Sequence, residues 1–164
     1  MRRARIAYSR HEGRSKSGGS WVAGEWIEGP DLYGYVRAQF PHMGRAARDS
    51  FLGGLARTVR RMHDRGVFHA DLKAANVLVA DGRLQIVDLD RVRFSLDVPE
   101  RDRIFNLAQL NASVTPPLTR TDRLRALRLY FGRCPSLWRN ERRWIREIMR
   151  VTAARKHHWP ARNA

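Results

Sequence analysis

The sequence predicts an α+β fold that is mainly helical and contains one short β-hairpin. Apolar residues recur at helical spacing over most of the chain. A single Asp-Gly pair, Asp81-Gly82, separates two short aliphatic runs, and this arrangement is typical of a two-residue hairpin loop. With 164 residues and 43% apolar content, the chain is long enough to form one hydrophobic core.

The N-terminal part is predicted to differ from the rest of the chain. Residues 1–20 are rich in Arg and end in a Ser/Gly-rich stretch, which indicates a basic flexible arm. Residues 21–160 are expected to form a single domain. Its first element is a predicted strand over residues 21–27, which Pro30 follows.

Five helices are predicted from apolar spacing and from the Gly and Pro residues that bound them. Their expected ranges are 31–40 (with Asp31 as N-cap), 46–65 (ended by Gly66), 101–114, 121–131 (ended by Gly132) and 136–156. In the last helix, Trp138, Ile148 and Met149 are expected on the buried side. Trp144 lies off that stripe and is expected to be partly exposed.

The hairpin explains how two polar residues can meet. The loop residues Asp81 and Gly82 set a register in which Asn76 faces Val87 on the adjacent strand. Asn76 and Asp88 then emerge at the same open end, about 5 Å apart. An amide oxygen and a carboxylate at that separation can share one hard cation, and Mg²⁺ prefers few protein oxygens together with phosphate oxygens.

Asp71 lies five residues before Asn76, in a segment that is expected to loop back over the hairpin. Its carboxylate could accept a proton from an incoming hydroxyl group. Lys73 would place positive charge near a transferred phosphoryl group. An ordinary surface hairpin with acidic loop residues is the alternative, but the whole spacing from Asp71 to Asp88 favours phosphoryl transfer from a magnesium nucleotide.

Residues 69–76 and 88–90 resemble the catalytic loop and the metal-binding segment of the protein-kinase-like fold, which in protein kinases have the sequences H-R-D-L-x-x-x-N and D-F-G. The resemblance implies that Asp71 is the catalytic base and that Asn76 and Asp88 are metal ligands. Leu78 would lie beneath the adenine of ATP. His69 is expected to pack and to form hydrogen bonds rather than to bind metal.

Residues 21–32 are similar to the interlobe hinge strand of this fold, which implies that Glu25 and Ile27 contact the nucleotide. Residues 21–160 would then form the C-terminal lobe. In protein kinases, a Gly-rich loop, a strand Lys and a helix Glu complete the nucleotide site. The residues before the hinge contain none of these, so we expect this chain alone to turn over poorly or not at all.

Two departures from the protein-kinase sequences indicate a subfamily. Ala70 replaces the Arg that receives a regulatory phosphate in many protein kinases, and residues 88–91 have the sequence Asp-Leu-Asp-Arg. The Asp-Leu-Asp-Arg sequence is similar to the corresponding segment of bacterial lipopolysaccharide kinases that phosphorylate Kdo or heptose. Residues 106–110 and 123–130 are also similar to the C-terminal helices of that family. Asp90 could bind a second metal or anchor Arg91.

This resemblance implies that ATP and Mg²⁺ are used to phosphorylate a sugar hydroxyl of a lipid-linked glycan. One alternative is a degenerate lobe that acts as a binding or scaffold domain. Another is a kinase that acts on protein Ser/Thr or on a small molecule resembling an aminoglycoside, since those enzymes share the spacing from Asp71 to Asn76.

The formal net charge of +16 favours polyanionic partners, such as an anionic glycolipid at an anionic membrane. A nucleic-acid partner is not expected, because we find no recognition-helix, zinc or RNA-binding sheet motif. The lone Cys134 fits a reducing compartment. No apolar run approaches the roughly 18 residues that a membrane span needs. The basic N-terminus lacks the hydrophobic core of a secretory signal. We therefore expect a cytoplasmic protein with peripheral contact at the inner membrane.

Overall fold

A computed structural model describes residues 9–14, 20–23, 27–114 and 117–155, with side chains described from residue 27 onward. Six helices and six strands lie in these ranges. The helices are α1 (Leu32–Gln39), α2 (Arg45–Asp64), α3 (Glu100–Ser113), α4 (Arg120–Phe131), α5 (Pro135–Arg139) and α6 (Glu141–Ala154). The strands are β1 (Ser9–Arg14), β2 (Ser20–Ala23), β3 (Val67–His69), β4 (Val77–Ala80), β5 (Arg83–Ile86) and β6 (Val92–Phe94). The predicted α+β, mainly helical class is confirmed.

The N-terminal strands form an antiparallel pair, in which Arg14 lies opposite Ser20. Strand β1 thus lies inside the segment that was predicted to be a flexible arm. Of the predicted strand over 21–27, residues 21–23 belong to β2, and Ile27 is not part of a strand. Glu25 lies outside the described residues. The division of the chain at residue 20 stays a prediction.

Four of the predicted helices are confirmed to within one or two residues at their ends. The Oδ1 atom of Asp31 accepts a hydrogen bond from the backbone N–H of Gly34 at 2.7 Å, which makes Asp31 the N-cap of α1 as expected. Helix α2 ends just before Gly66, whose φ of 71° lies in the left-handed region. Glycine adopts this conformation without strain, so it is a common helix terminator.

The helices pack around one core, with α2 against α4 and α3 against α6. Leu32 and Phe40 from the α1 region, Leu52 from α2 and Phe131 from α4 are almost fully buried within it. Within the described ranges, no helix combines the length and the apolar character that crossing a bilayer requires.

The prediction for the C-terminal helix is wrong, because the expected single helix is two helices that meet at Asn140. The Nδ2 atom of Asn140 donates to the backbone oxygen of Ser136 at 2.8 Å, and such side-chain bonds compete with the helical pattern. The break changes the helical phase. Trp144 is consequently fully buried, whereas Trp138 and Met149 are exposed.

The hairpin has the predicted register. Strands β4 and β5 place Ala80 opposite Arg83, and the N–H of Val87 donates to the carbonyl oxygen of Asn76 at 3.0 Å. The loop residues Asp81 and Gly82 both have positive φ, as a type I′ turn requires. The antiparallel pair formed by β3 and β6 was not predicted from the sequence. Strands of three residues are too short for alternation to be recognised.

Candidate active site

The catalytic loop (residues 69–76) connects β3 to β4 across the middle of the lobe. It is fixed by two side chains, Leu72 and Ala74, which are completely buried. The loop ends in a single 3₁₀ turn over Ala74–Asn76 that leads directly into β4. Leu72 and Ala74 anchor the loop in the core. Asp71 and Lys73, which alternate with them along the chain, keep partly exposed side chains.

The amide group of Asn76 brings together the residues that were predicted to carry the chemistry. Its Nδ2 atom donates to the backbone oxygen of Asp71 at 2.8 Å and lies 3.4 Å from Oδ2 of the same residue. The same atom donates to Oδ2 of Asp88 at 3.1 Å. The hairpin therefore places Asn76 and Asp88 side by side, and the loop brings Asp71 to the same point.

Lys73 lies at this junction as well. Its Nζ atom is 2.6 Å from Oδ2 of Asp71. The pair is partly exposed, so the ammonium group can move toward an incoming anion without a large desolvation cost. The carboxylate of Asp71, a proton acceptor, is thus hydrogen-bonded to the ammonium group of Lys73, a cation that can move.

The donor set fits a magnesium ion that is shared with a nucleotide. The described residues contain no group of three or more His, Cys, Asp or Glu that could hold a metal. Mg²⁺ bound together with substrate phosphates needs only one or two protein ligands. Among the described residues, all hydrogen bonds of the Asn76 side chain are made through Nδ2, which leaves Oδ1 available to a cation beside the exposed Asp88 carboxylate.

Asp88 has an unusual backbone conformation, with φ 62° and ψ 61°. In the described part of the chain, Asp81 in the hairpin loop is the one other non-glycine residue with positive φ. Asp and Asn tolerate this region better than most residues because their short polar side chains can bond locally. Residues held in this conformation outside tight turns cluster at functional sites, and here it aims the Asp88 carboxylate at Asn76.

The segment before α1 lies against β4 and extends the hairpin by one strand-like element. Asp31 forms an antiparallel bridge with Leu78, and the N–H of Val79 donates to the carbonyl oxygen of Pro30 at 2.9 Å. A Cβ atom on Gly29 would lie 2.4 Å from the carbonyl oxygen of Val79. The close approach thus depends on glycine.

This arrangement positions some of the residues that were predicted to contact the nucleotide. Leu78 is half-buried beside the segment that contains Gly29 and Asp31, and Ile27 is also half-buried two residues before Gly29. The contact of Leu78 with adenine and that of Ile27 with the nucleotide stay predictions. Glu25, the third residue of this set, lies outside the described residues.

His69 is fully buried and takes part in packing and hydrogen bonding, in agreement with expectation. Its Nε2 atom is 3.0 Å from the carbonyl oxygen of Val87, and its Nδ1 atom is 3.2 Å from the backbone nitrogen of Asp71. Since a carbonyl can only accept and an amide N–H can only donate, Nε2 carries the proton and Nδ1 accepts. The neutral imidazole thereby links the residue before Asp88 to Asp71.

Helix α3 supplies a row of polar side chains that hold the catalytic loop from behind. The Oε1 atom of Gln109 accepts from the N–H of Leu72 at 3.0 Å, and its Nε2 atom donates to the carbonyl oxygen of Ala70 at 2.8 Å. The hydroxyl of Ser113 accepts from the N–H of Ala74 at 2.8 Å. The loop backbone on both sides of Asp71 is thus bonded to one rigid helix.

Asn106 extends this network toward α2 and α4. Its Nδ2 atom donates to the carbonyl oxygen of His69 at 2.6 Å, so its Oδ1 atom must accept from Nε2 of His63 at 3.1 Å. Nδ1 of His63 then accepts from the hydroxyl of Tyr130 at 2.9 Å. Nδ2 of Asn106 also donates to Oε1 of Gln109 at 2.9 Å, so every donor and acceptor in this buried chain has an assigned direction.

Burial has opposite effects on the two titratable groups of the network. Desolvation lowers the pKa of His63 from its ordinary 6.5 to about 4, because it disfavours the charged imidazolium. Desolvation also raises the pKa of Tyr130 to about 12, because it disfavours the phenolate. Both groups are therefore neutral near pH 7, and the hydrogen-bond directions stay fixed.

The sequence reasoning did not assign a role to Asn106, Gln109 or Ser113. A signal was present, since these three polar residues recur at i, i+3 and i+7 and so share one face of α3. All three are buried. A polar row on a buried helix face requires hydrogen-bonding partners, and the catalytic-loop backbone provides them.

A comparison with protein families agrees with this arrangement. The model of the Lipopolysaccharide kinase (Kdo/WaaP) family matches residues 29–130. The match extends from the segment that lies on β4, through the catalytic loop and the hairpin, to nearly the end of α4. It therefore includes Asp71, Asn76, Asp88 and the polar row of α3. Since the match covers more than half of the sequence, this chain belongs to the lipopolysaccharide kinase (Kdo/WaaP) family.

Proposed function

We propose that this chain binds ATP with Mg²⁺ and directs the γ-phosphoryl group to a sugar hydroxyl of a lipid-linked glycan. Membership of a kinase family gives the reaction class. ATP as the donor, Mg²⁺ as the metal and a sugar hydroxyl as the acceptor are proposed in addition to that reaction class. The observation that carries it is the convergence of Asp71 and Asp88 on the single amide group of Asn76.

Each residue has a distinct role in this proposal. Asn76 and Asp88 hold the magnesium ion, which neutralises charge on the phosphates when it is bound. Asp71 orients the acceptor hydroxyl and accepts its proton. Lys73 moves from Asp71 to the transferred phosphoryl group as that group approaches, since its partly exposed ion pair is weakly held.

The glycolipid acceptor is supported by family membership and by the positive charge of the chain. A net charge of +16 attracts phosphate- and carboxylate-bearing lipids. Because ATP is the proposed donor and the acceptor is a membrane lipid, we propose that the protein acts in the cytoplasm at the surface of the inner membrane.

Isothermal titration with Mg²⁺ and a non-hydrolysable ATP analogue tests the donor site. We expect saturable binding that requires Mg²⁺ and that Asp88→Asn abolishes. Asp81→Asn is the matched control, because Asp81 is the other aspartate with positive φ but lies at the far end of the hairpin. Absence of Mg²⁺-dependent binding, or equal loss in both variants, would overturn the proposed donor site.

Phosphate transfer from labelled ATP tests the acceptor. Purified lipid core sugars, a generic protein substrate and an aminoglycoside are compared under the same conditions. Because this chain alone is expected to turn over poorly, we expect a low level of label, confined to the lipid core sugars, and no label after Asp71→Asn. Labelling of the protein or the aminoglycoside alone would overturn the glycolipid assignment while leaving the donor site intact.

A further inference from the structure

Two large apolar side chains project into solvent at the end of β6. Phe94 is 80% exposed and Leu96 is fully exposed, and they are the two most exposed large hydrophobic residues among those described. Residues 94–96, which we call the β6 tip, begin at the last residue of β6, and Ser95 alone separates Phe94 from Leu96 in the chain. Together the side chains form a small apolar patch of two neighbours rather than isolated exposed residues.

The backbone between them is firmly attached to the protein. The N–H of Ser95 donates to the carbonyl oxygen of Gly66 at 2.8 Å, and the hydroxyl of Ser95 donates to the carbonyl oxygen of Asp97 at 2.7 Å. A Cβ atom on Gly66 would lie only 1.7 Å from the carbonyl oxygen of Ser95. The backbone of Ser95 is therefore held against Gly66, just after α2, while the side chains of Phe94 and Leu96 on either side of Ser95 are exposed.

Basic residues surround the β6 tip. Arg65 directly precedes Gly66, Arg91 directly precedes β6 and Arg93 lies within it; all three arginines are exposed. Arg93 also stacks over the ring of Phe68 at 4.5 Å, which holds it at the base of the tip.

Acidic residues near the tip are few or already engaged. Asp97 pairs with Nη2 of Arg103 at 2.8 Å, and Arg93 lies 3.8 Å from Asp102. Asp90 is exposed and lies four residues before Phe94 in the chain. With a chain charge of +16, an anionic surface is the chemically matched partner for an apolar patch in this setting.

The β6 tip is continuous with the candidate active site. Strand β6 pairs with β3, with Val92 opposite His69, and the N–H of Ala70 donates to the carbonyl oxygen of Arg91 at 3.3 Å. Asp71 follows Ala70 directly. A surface that fixes Phe94 therefore also fixes the position of Asp71 relative to that surface.

We propose that the β6 tip docks this chain on an anionic lipid bilayer. Phe94 and Leu96 enter the boundary between headgroups and acyl chains, and Arg65, Arg91 and Arg93 lie among the anionic headgroups. Since the tip is already fixed in the fold, little conformational entropy is lost on docking. The inference deepens the proposed function by naming the membrane-facing side of the site, but docking itself requires neither nucleotide nor phosphate transfer.

Co-sedimentation of the full chain with lipid vesicles tests this surface. We expect binding to vesicles of phosphatidylglycerol and phosphatidylcholine, and little binding to phosphatidylcholine alone. The double substitution Phe94→Ser with Leu96→Ser should weaken binding to the anionic vesicles by on the order of tenfold or more, given the apolar area removed from the interface. Arg65→Ser should weaken it by about fivefold.

The matched control removes exposed apolar side chains elsewhere. Leu129 and Met149 are exposed on α4 and α6, and Leu129→Ser with Met149→Ser should leave vesicle binding unchanged. Equal binding by the parent chain and the Phe94/Leu96 variant would overturn the proposal, since binding would then depend on charge alone. A Phe94/Leu96 variant that loses self-association in sedimentation analysis, and not vesicle binding, would show that the tip contacts a second copy.

The double variant could lose vesicle binding because it misfolds, so a second variant, Leu96→Trp, is used to detect contact with lipid by fluorescence quenching. Leu96→Trp should show emission that brominated phosphatidylglycerol quenches beyond the quenching of the parent chain, and absence of extra quenching would also overturn the proposal. The Phe94/Leu96 variant should still bind the magnesium nucleotide in titration. Failure of vesicle docking is thus separable from failure of the nucleotide site.

Discussion

Gln109 and Leu72 form the hydrogen bond that ties helix α3 to the catalytic loop, with Oε1 accepting from the backbone N–H at 3.0 Å. Gln109 is almost completely buried, and Leu72 is completely buried. The bond therefore has no competition from solvent. Through it, the residue directly after Asp71 is held by an element whose sequence lies 37 positions away.

Gln109→Leu removes this support while keeping a similar side-chain volume. The N–H of Leu72 and the carbonyl oxygen of Ala70 lose their partner, and each unsatisfied buried group costs about 1–3 kcal/mol. We expect the free energy of unfolding to fall by about 2–4 kcal/mol in urea denaturation. Arg101→Ala, at an exposed position on the same helix, should change it by about 0.5 kcal/mol or less. Equal free energies of unfolding for Gln109→Leu and Arg101→Ala would contradict a structural role for Gln109.

Asp88 and Asp81 allow backbone strain to be separated from metal binding. Both residues have positive φ, so replacement by Ala should destabilise the chain by about 1 kcal/mol at either position, whereas Asn should be tolerated. Mg²⁺-dependent nucleotide binding should be lost in both Asp88 variants and kept in both Asp81 variants. Thermal unfolding and titration calorimetry measure the two effects. Retained binding in Asp88→Ala would remove Asp88 from the proposed metal site.

The parts of the fold that could be predicted from sequence are those set by local chemistry. The Asp81-Gly82 turn determines the hairpin register, and that register brings Asn76 to Asp88. The hydrogen bonds made by Asn106 and Gln109 join positions far apart in the chain, so no local pattern predicts their partners. Trp144 was expected to be partly exposed because the break at Asn140 could not be foreseen from apolar spacing.

Gly29→Ala should disrupt the contact between the segment before α1 and strand β4. The added methyl group would lie 2.4 Å from the carbonyl oxygen of Val79, and relieving such a clash by a backbone shift typically costs about 1–3 kcal/mol. We expect a lower melting temperature and weaker nucleotide binding, because Leu78 lies at this junction. Gly44→Ser is the control, since no atom lies within 4 Å of that position and Ser is a good N-cap for α2. Unchanged stability of Gly29→Ala would contradict the close approach.

His63 should make the stability of the lobe depend on pH. Its pKa is about 4 in the folded chain, where burial opposes protonation, against an ordinary 6.5. Between these two values the unfolded chain binds a proton that the folded chain does not, so stability rises with pH in this window and is lost on acidification. This contribution to stability is fully present above about pH 6.5, and the loss grows to about 3 kcal/mol at most near pH 4.

Urea denaturation at a series of pH values from neutral to acidic measures this effect. His63→Gln cannot titrate, so the difference in unfolding free energy between the parent chain and this variant should shrink as the pH falls through the window. His42→Gln removes an exposed histidine and serves as the control for loss of an imidazole outside the buried network. A constant difference between the parent chain and His63→Gln would show that His63 titrates alike in the folded and unfolded chains. Its buried bonds to Tyr130 and Asn106 would then not exclude the proton.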